Sequence, residues 1–283
     1  MGKYPAPAGA PQDIPGLEFA GEVAALGPGA SRCRVGQRVF GIVGGGGNAE
    51  FLVTHEDVAA EVPPNLSWSE AGSIPEVFIT AHDALSQAGI SAGDSVLIHA
   101  VGSGVGLAAV QIVRALGAVP FGTSRTLEKI ERAGAHGLEA GFCAPDPAAL
   151  ASLPDWSRSV TGGRGFDIVL DLNGGPYFPA SLRAMAPKGR IMLIGATAGA
   201  SVEVDLRHIF SRRLHIIGTV LRARPLEEKI EVTRRFAEQI VPRLASGAIR
   251  PVIDSEFSLD DIQSAHRRVG SDQSFGKVVL RIA

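Results

Sequence analysis

The segment from residue 95 to 110, SVLIHAVGSGVGLAAV, constrains the fold most strongly. An apolar strand runs into a glycine-rich turn and then directly into an apolar helix. Small residues at such a turn let the backbone approach a pyrophosphate, while the helix N-terminus offers N–H donors and a partial positive charge. The spacing departs from G-x-G-x-x-G, because counting back from Gly106 places Val101 and Ser103 where the first two glycines would stand. The residues predicted to contact a dinucleotide cofactor here are Gly102, Ser103, Gly104, Val105 and Gly106.

The chain around this turn alternates short β-branched runs with longer amphipathic segments. This alternation is typical of βαβ units and a parallel sheet covered by helices on both faces. The pattern predicts a doubly wound, Rossmann-type α/β domain with six parallel strands. The predicted strands are 95–99, 119–123, 140–143, 167–171, 190–194 and 214–220, and the helices between them include 104–116, 127–133, 178–185 and 202–210.

Both ends of the chain have a different pattern. Short runs at 18–25, 38–43 and 49–54 are separated by Gly and Pro turns, which favours an antiparallel, barrel-like β domain. Near the C-terminus, a helix over 227–246 precedes a strand over 253–257, a helix from Leu259 and a last strand over 277–282. We therefore predict a β-rich substrate domain formed by 1–75 and 226–283, split around a nucleotide-binding domain at 76–225.

Cofactor choice is predicted from the end of the second strand, where the sequence reads Phe121-Gly122-Thr123-Ser124-Arg125. NAD enzymes usually place Asp or Glu there to accept a hydrogen bond from the ribose 2′-hydroxyl. No carboxylate is present here, whereas Ser124 can donate and Arg125 and Lys129 can balance a 2′-phosphate. The sequence predicts NADPH rather than NADH, although a solvated helix start would also explain the two cations.

Composition narrows the class of protein. The net charge of −2 gives no electrostatic case for nucleic acid or an anionic membrane as the main partner. Two cysteines, Cys33 and Cys143, are too few for a disulfide framework, and no apolar run is long enough for a signal peptide or membrane span. We expect a soluble, cytoplasmic protein that acts on a small molecule.

Several motifs together resemble the medium-chain dehydrogenase/reductase superfamily. They are GLEFAGEV at 16–23 with Gly27, VGQRV at 35–39, the turn at 99–106 and GKVVL at 276–280. Ile74-Pro75-Glu76 with Thr80-Ala81, and LRAR at 221–224, are similar to the quinone oxidoreductase (zeta-crystallin-like) branch. The resemblance spans the whole chain and implies a GroES-like substrate domain beside the Rossmann domain. Relatives carry about forty further residues before the point where this chain starts, so we expect the substrate domain to be N-terminally incomplete.

The resemblance also bears on zinc. Zinc-dependent members of the superfamily have Gly-His-Glu in the first motif, and here Leu17 stands in place of the histidine ligand. The four-cysteine cluster of a structural zinc is absent, and the seven histidines form no metal-binding spacing. The expectation is an enzyme without catalytic zinc, in which each histidine is a surface or satisfied core residue.

Other site residues are implied by the resemblance alone. Thr80 would reach the nicotinamide, Asn173 and Gly195 would border it, Leu221 and Arg222 would cover it, and Lys277 would meet a phosphate. Tyr4 would line the substrate pocket, and Asn48 would lie near the nicotinamide. In this superfamily the sixth strand pairs with its symmetry mate, so the apolar stretch 214–220 implies a homodimer.

The function expected from these features is NADPH-dependent, zinc-free reduction of quinones or related α,β-unsaturated carbonyls. Hydride would come from the nicotinamide. The residues identify no catalytic acid or base. Two alternatives remain open: a 2-alkenal or enoyl-thioester reductase of the same fold, and a cofactor-binding protein with little turnover.

Overall fold

The computed structural model describes residues 6–282. The chain divides into two compact units, one formed by residues 1–80 and 220–283 and the other by residues 81–219. Each unit has its own sheet system. The domain boundaries predicted from the sequence, at residues 75 and 226, differ from this division by a few residues and stay a prediction.

The N-terminal part of the split unit contains β1 (Glu18–Glu22), β2 (Arg38–Ile42) and β3 (Ala59–Glu61). They form an antiparallel sheet in the order β1-β2-β3. The predicted strand at 49–54 is wrong: this stretch has no regular structure, and Phe51 and Val53 are 79% and 100% exposed. An alternating pattern becomes a strand only when a neighbouring strand takes its backbone hydrogen bonds, and no described strand pairs with this stretch.

Two helices that the sequence pattern did not predict follow the first sheet. Helix α1 (Trp68–Gly72) begins with a capping box, in which Ser67 and Glu70 each accept a backbone N–H from the other. Helix α2 (Pro75–Gln87) begins at a proline, whose missing N–H costs nothing in a first turn.

The central unit is a six-stranded parallel sheet with helices between its strands. Its strands are β4 (Ser95–Ile98), β5 (Val119–Ser124), β6 (Ala140–Cys143), β7 (Phe166–Asp171), β8 (Met185–Leu193) and β9 (His215–Gly218). Its helices are α3 (Gly104–Ala115), α4 (Leu127–Gly134), α5 (Leu153–Val160), α6 (Tyr177–Ala184) and α7 (Arg207–Arg212). The sheet order β6-β5-β4-β7-β8-β9 is that of a dinucleotide-binding fold, as predicted.

Helix α7 begins five residues later than predicted. Residues 202–206 are not helical, and just before the helix the Asp205 carboxylate accepts the N–H of Arg207, the first helical residue, at 3.0 Å. Strand β9 is also shorter than the predicted 214–220.

The chain then returns to the split unit through α8 (Leu226–Gln239), α9 (Val241–Ala245), β10 (Ile253–Ser258), α10 (Ile262–Gly270) and β11 (Lys277–Arg281). The single helix predicted over 227–246 is broken at Ile240, because Pro242 has no N–H to continue the hydrogen-bond ladder. Strands β10 and β11 pair in parallel. None of the described helices combines the length and the apolar character that crossing a bilayer requires.

Candidate functional site

The glycine-rich turn joins β4 to α3 and is tied to the neighbouring strand β5. The N–H of Val101 donates to the carbonyl of Thr123 at 2.9 Å, and the N–H of Ser103 donates to the carbonyl of Ala100 at 2.9 Å. Ala100 has a φ of 51°, a left-handed conformation that non-glycine residues seldom adopt. The turn is therefore held in one shape by a hydrogen bond to β5 and by its own backbone.

The first turn of α3 has the features of an anion-binding helix N-terminus. Ser103 is the N-cap, and its hydroxyl accepts the N–H of Gly106 at 3.1 Å. The N–H groups of Gly104 and Val105 belong to the same helical turn, where the donors and the helix dipole favour negative charge. A pyrophosphate fits this position.

Close packing explains why Gly106 must be glycine. A Cβ atom there would lie 2.5 Å from the carbonyl oxygen of Ala100 and 2.8 Å from the Cα of Val101. Gly102 has a different neighbour, because a Cβ atom on it would lie 2.9 to 3.3 Å from the side-chain carbons of Lys129. The stem of Lys129 thus runs along the glycine turn, and the structure brings together two of the predicted cofactor-binding elements.

The end of β5 contains two of the residues that were predicted to bind the 2′-phosphate, Ser124 and Arg125. Ser124 is 7% exposed, and its hydroxyl accepts the N–H of Thr126 at 3.3 Å. Arg125 follows directly, and its carbonyl accepts a weak hydrogen bond from the thiol of Cys143. The chemistry of these groups suits the predicted 2′-phosphate contact, since a hydroxyl and a guanidinium at the end of β5 and an ammonium in the first turn of α4 can all interact with a phosphate.

Asn173 and Gly195 lie together at the carboxyl ends of β7 and β8. The Asp171 carboxylate accepts the N–H of Asn173 at 2.9 Å, and the carbonyl of Asp171 accepts the N–H of Gly195 at 3.3 Å. The hydroxyl of Thr197 donates to the side-chain oxygen of Asn173 at 3.3 Å. These residues occupy the edge of the sheet at which open α/β folds bind ligands.

A buried polar network that was not predicted from the sequence is formed around His99, next to the glycine-rich turn. His99 has no exposed surface; its Nδ1 lies 2.9 Å from the hydroxyl of Thr123 and its Nε2 lies 2.7 Å from that of Ser181. The Ser181 hydroxyl donates its proton to the carbonyl of Tyr177 at 2.8 Å. Ser181 can therefore only accept from His99, which assigns the hydrogen to Nε2 and makes Nδ1 the acceptor from Thr123.

Burial lowers the pKa of His99 to about 4, against a smaller opposing effect of the Asp171 carboxylate. The ring is neutral at physiological pH, in keeping with the expected satisfied core histidine. A signal for the network was present in the sequence, because Tyr177 and Ser181 are four residues apart on one helix and Thr123 lies in the strand next to His99.

In the split unit, a charged cluster joins three distant parts of the chain. Lys277 forms an ion pair with Glu18, and the other oxygen of Glu18 accepts the N–H of Glu76 at 2.8 Å at the start of α2. Burial, and then the charge of Glu18, raise the pKa of Glu76 to about 7, while Lys277 and Arg222 act in the opposite direction. The cluster thus contains Lys277, which was predicted to meet a phosphate, paired with a carboxylate.

The split unit contains three other residues that were predicted to contact the cofactor. Thr80 is one helical turn beyond Glu76 on α2, Leu221 is buried and Arg222 is half-buried. Thr80, Leu221, Arg222 and Lys277 belong to one unit and the other predicted cofactor residues to the second. Their cofactor contacts stay predictions.

A pocket of about 440 Å³ also lies in the split unit. Its walls come from proline- and glycine-rich segments between residues 7 and 46, from Phe51 and Val53, and from Lys229 on α8. Asn48 lies next to it in sequence, outside its lining, and its N–H donates to the carbonyl of Pro15 at 2.9 Å. Tyr4, the other predicted pocket residue, lies outside the described residues.

Among residues 6–282 no group of three or more His, Cys, Asp or Glu side chains is arranged to hold a metal ion. Cys33 and Cys143 are free thiols.

Comparison with known families gives two matches. A family profile described as zinc-binding dehydrogenase matches residues 148–280, and one described as alcohol dehydrogenase GroES-like domain matches residues 1–64. The β-rich part of the split unit is therefore GroES-like.

Among curated proteins, the chain is 29% identical to the human quinone oxidoreductase, over 94% of this chain and 79% of that protein. It is 30% identical to a highly-reducing polyketide synthase of Aureobasidium melanogenum over 94% of this chain, which spans 12% of that much longer protein.

Solved structures agree with these matches. An NAD-dependent alcohol dehydrogenase is 31% identical with a TM-score of 0.84, over 96% of this chain and 83% of its own. The quinone oxidoreductase of Thermus thermophilus, solved alone and with NADPH, is 28% identical with a TM-score of 0.80, over 96% of this chain and 82% of its own. This chain therefore belongs to the medium-chain dehydrogenase/reductase superfamily, in its quinone oxidoreductase branch, and is an oxidoreductase with a nicotinamide-binding fold.

Proposed function

We propose that the protein is an NADPH-dependent, zinc-free reductase of quinones and related α,β-unsaturated carbonyls. The observation that supports this most directly is the arrangement at the end of β5. Ser124 is the last residue of the strand, Arg125 follows it, Lys129 lies along the glycine turn, and no carboxylate occupies the position that would accept from a ribose 2′-hydroxyl. This is a site for a phosphorylated ribose.

Different residues of the central unit bind different parts of the cofactor. The first turn of α3 holds the pyrophosphate, Ser124, Arg125 and Lys129 hold the 2′-phosphate, and Asn173 and Gly195 border the nicotinamide. Once bound, NADPH supplies the hydride. Quinones suit a site without a metal, because their carbonyls are electrophilic and the reduced ring is aromatic, so little acid assistance is needed.

Affinity for the two nucleotides tests the cofactor assignment. NADPH should bind more than tenfold tighter than NADH, since a charged hydrogen bond contributes about 1.5–3 kcal/mol. Arg125→Ala should reduce that ratio to a few-fold. Arg158→Ala is the matched control, because it removes an exposed arginine of the same unit that pairs with Asp155. Equal affinities in the unmodified protein would refute the assignment.

Steady-state NADPH oxidation distinguishes the substrate classes. A panel of quinones, enones and enoyl thioesters should show the highest kcat/KM with quinones. The similarity to a highly-reducing polyketide synthase favours enoyl thioesters as the second candidate. Faster thioester reduction would replace the quinone assignment, and negligible turnover with all three classes would indicate a cofactor-binding protein.

The absence of zinc is a separate part of the proposal. It is supported by Leu17, a side chain that cannot coordinate a metal, in place of the histidine of the zinc-dependent motif. Elemental analysis should find well below one zinc per chain, and chelators should leave turnover unchanged. One tightly bound zinc per chain would contradict this.

We also propose a cytoplasmic homodimer. Strand β9 is at the edge of the six-stranded sheet and exposes Ile216, which is 41% accessible, and an apolar edge strand commonly pairs with a second copy. Light scattering should give twice the chain mass, and Ile216→Lys should shift it toward the monomer. The free thiols of Cys33 and Cys143 fit a reducing compartment.

A further inference from the structure

Thr123 is hydrogen-bonded to the glycine-rich turn and directly precedes Ser124 and Arg125, the predicted 2′-phosphate ligands. Its carbonyl accepts the N–H of Val101 in the glycine turn at 2.9 Å, and its hydroxyl bonds to His99 at 2.9 Å. The next two residues of the chain are Ser124 and Arg125. The backbone and side chain of one residue thus join the pyrophosphate-binding turn to the predicted 2′-phosphate ligands.

His99 is itself fixed from the opposite side. Its Nε2 donates to Ser181, whose hydroxyl donates to the carbonyl of Tyr177 on α6, and the rings of His99 and Tyr177 meet edge to face with centroids 5.0 Å apart. Thr123, His99 and Ser181 are each at most 1% exposed. A buried network in which every donor and acceptor is paired restricts its members to one arrangement.

The hydroxyl of Thr123 has a role that packing alone does not require. Valine has nearly the same shape and would fill the same space, but it would leave Nδ1 of His99 without a donor and would remove the side-chain hydrogen bond that joins Thr123 to His99. Tyr177, at the far end of the network, also lies within the electrostatic range of Arg125. The hydroxyl of Thr123 therefore ties the end of β5, from which Arg125 follows, to the buried ring of His99.

We infer that Thr123, held by His99 and Ser181, is a positioning residue for nucleotide specificity: it keeps Ser124 and Arg125 at the distance from the glycine turn that a 2′-phosphorylated ribose spans. This inference rests on the proposed preference for NADPH. The pyrophosphate is held by the first turn of α3, which does not depend on the Thr123 hydroxyl, so loss of that hydroxyl weakens NADPH binding more than NADH binding.

The test compares Thr123→Val with Thr123→Ser, which keeps the hydroxyl. Fluorescence titration measures Kd for NADPH, NADH and the fragment 2′,5′-ADP. Thr123→Val should weaken NADPH and 2′,5′-ADP about tenfold and NADH less than about threefold, the equivalent of one lost hydrogen bond at the phosphate end. Thr123→Ser should restore the NADPH-to-NADH ratio to within about twofold of the unmodified protein.

Two further variants keep the test decisive. Ser181→Ala removes the far anchor without changing β5 and should shift the ratio in the same direction by a smaller factor, so a Thr123→Val protein that fails to fold does not end the test. Ser157→Ala is the matched control, because it deletes another buried hydroxyl of this unit, one that donates to the carbonyl of Pro154 at 2.8 Å. It should leave the ratio unchanged.

The outcomes separate the two proposals. If the unmodified protein binds NADPH and NADH equally, the cofactor assignment fails and the positioning role fails with it. If the unmodified protein prefers NADPH and Thr123→Val keeps that preference, or weakens both nucleotides equally, the positioning role alone is refuted.

Discussion

Among the described residues, the fully buried His99 of the central unit and the half-buried Glu76 of the split unit both have a pKa that desolvation shifts strongly, and the two shifts have opposite directions. In the central unit, His99 is surrounded by neutral hydroxyl partners, and its pKa falls to about 4. In the split unit, Glu76 lies next to the Glu18–Lys277 ion pair, and its pKa rises to about 7. One unit thus has a neutral hydrogen-bonded network, and the other has a cluster of charges drawn from distant parts of the chain.

The two residues give stability opposite dependences on pH. The folded pKa of His99 lies below the ordinary 6.5, so its contribution is complete above pH 6.5 and is lost as the pH falls toward 4. The folded pKa of Glu76 lies above the ordinary 4.5, so its contribution is complete below pH 4.5 and is lost as the pH rises through 7. Between pH 4.5 and 6.5 the rise in stability from His99 and the fall in stability from Glu76 offset each other as the pH increases. Substituting one of the two residues at a time should therefore reveal the effect of the other.

The largest effect is expected from Glu76→Gln. Because this variant cannot lose a proton, its free energy of unfolding relative to the unmodified protein should rise by up to about 3 kcal/mol between pH 4.5 and pH 8. Urea unfolding at a series of pH values measures the difference. Glu227→Gln, an exposed glutamate at the start of α8, is the control and should follow the unmodified profile. A parallel profile for Glu76→Gln would show that Glu76 is ionised like a surface carboxylate.

His99→Gln should lower the free energy of unfolding by about 2 kcal/mol at pH 7, since the acceptor for Thr123 and the ring contact with Tyr177 are both lost. The difference in stability between the variant and the unmodified protein should shrink as the pH falls toward 4, where the unmodified protein must protonate a buried ring. His215→Gln, an exposed histidine of β9, should change stability by less than about 0.5 kcal/mol. A gap that is constant with pH would mean that His99 has an ordinary pKa.

A charge pair in the split unit provides a third comparison. Asp254 is 4% exposed at its side chain, and accepts two hydrogen bonds of 2.8 Å from Arg268 and one of 2.9 Å from the N–H of Phe275. The Arg268 guanidinium holds the pKa of Asp254 well below its usual range. Asp254→Ala should lower the free energy of unfolding by about 1.5 kcal/mol at pH 7, because the partly exposed Arg268 can turn to water while the Phe275 N–H loses its Asp254 acceptor.

The matched control for Asp254 is Asp155→Ala, which removes an exposed ion pair with Arg158 in the other unit. Exposed ion pairs contribute between zero and about 1 kcal/mol to stability, so the free energy of unfolding should change by no more than about 0.5 kcal/mol. Chemical unfolding of both variants at pH 7 checks the comparison, and equal losses would contradict it.

The smallest effects are expected at two helix N-caps, where the loss of stability can be separated from the loss of cofactor binding. Ser67 and Ser103 are both N-caps that accept the N–H of the residue three positions later, and each change to alanine should cost about 1 kcal/mol of stability. Only Ser103→Ala should also weaken NADPH binding, because only Ser103 begins the helix at the glycine turn. Thermal unfolding and cofactor titration measure the two effects. Equal NADPH affinities would place the pyrophosphate elsewhere.

Much of the central unit could be predicted because its signals are local. The strand over 140–143 has the predicted bounds, helix α3 starts at the predicted Gly104, and the six strands form the parallel sheet that the βαβ alternation predicted. Predictions were poorer in the split unit, where residues 49–54 formed no strand and Pro242 broke a helix. The periodicity of 49–54 was suitable, but strand formation required a partner that the described chain does not place beside it.

The sequence by itself determined the dinucleotide-binding fold, the place of the glycine turn and the position of Ser124, Arg125 and Lys129 near it, because hydrophobic periodicity and turn chemistry act over a few residues. Only the tertiary structure decided that Lys277 pairs with Glu18 beside Glu76, and that His99 joins Thr123 to Ser181. Glu18 and Lys277 are 259 residues apart. The reason is physical: the ionisation and orientation of a buried polar side chain depend on which groups surround it, and those groups are brought together only when the chain folds.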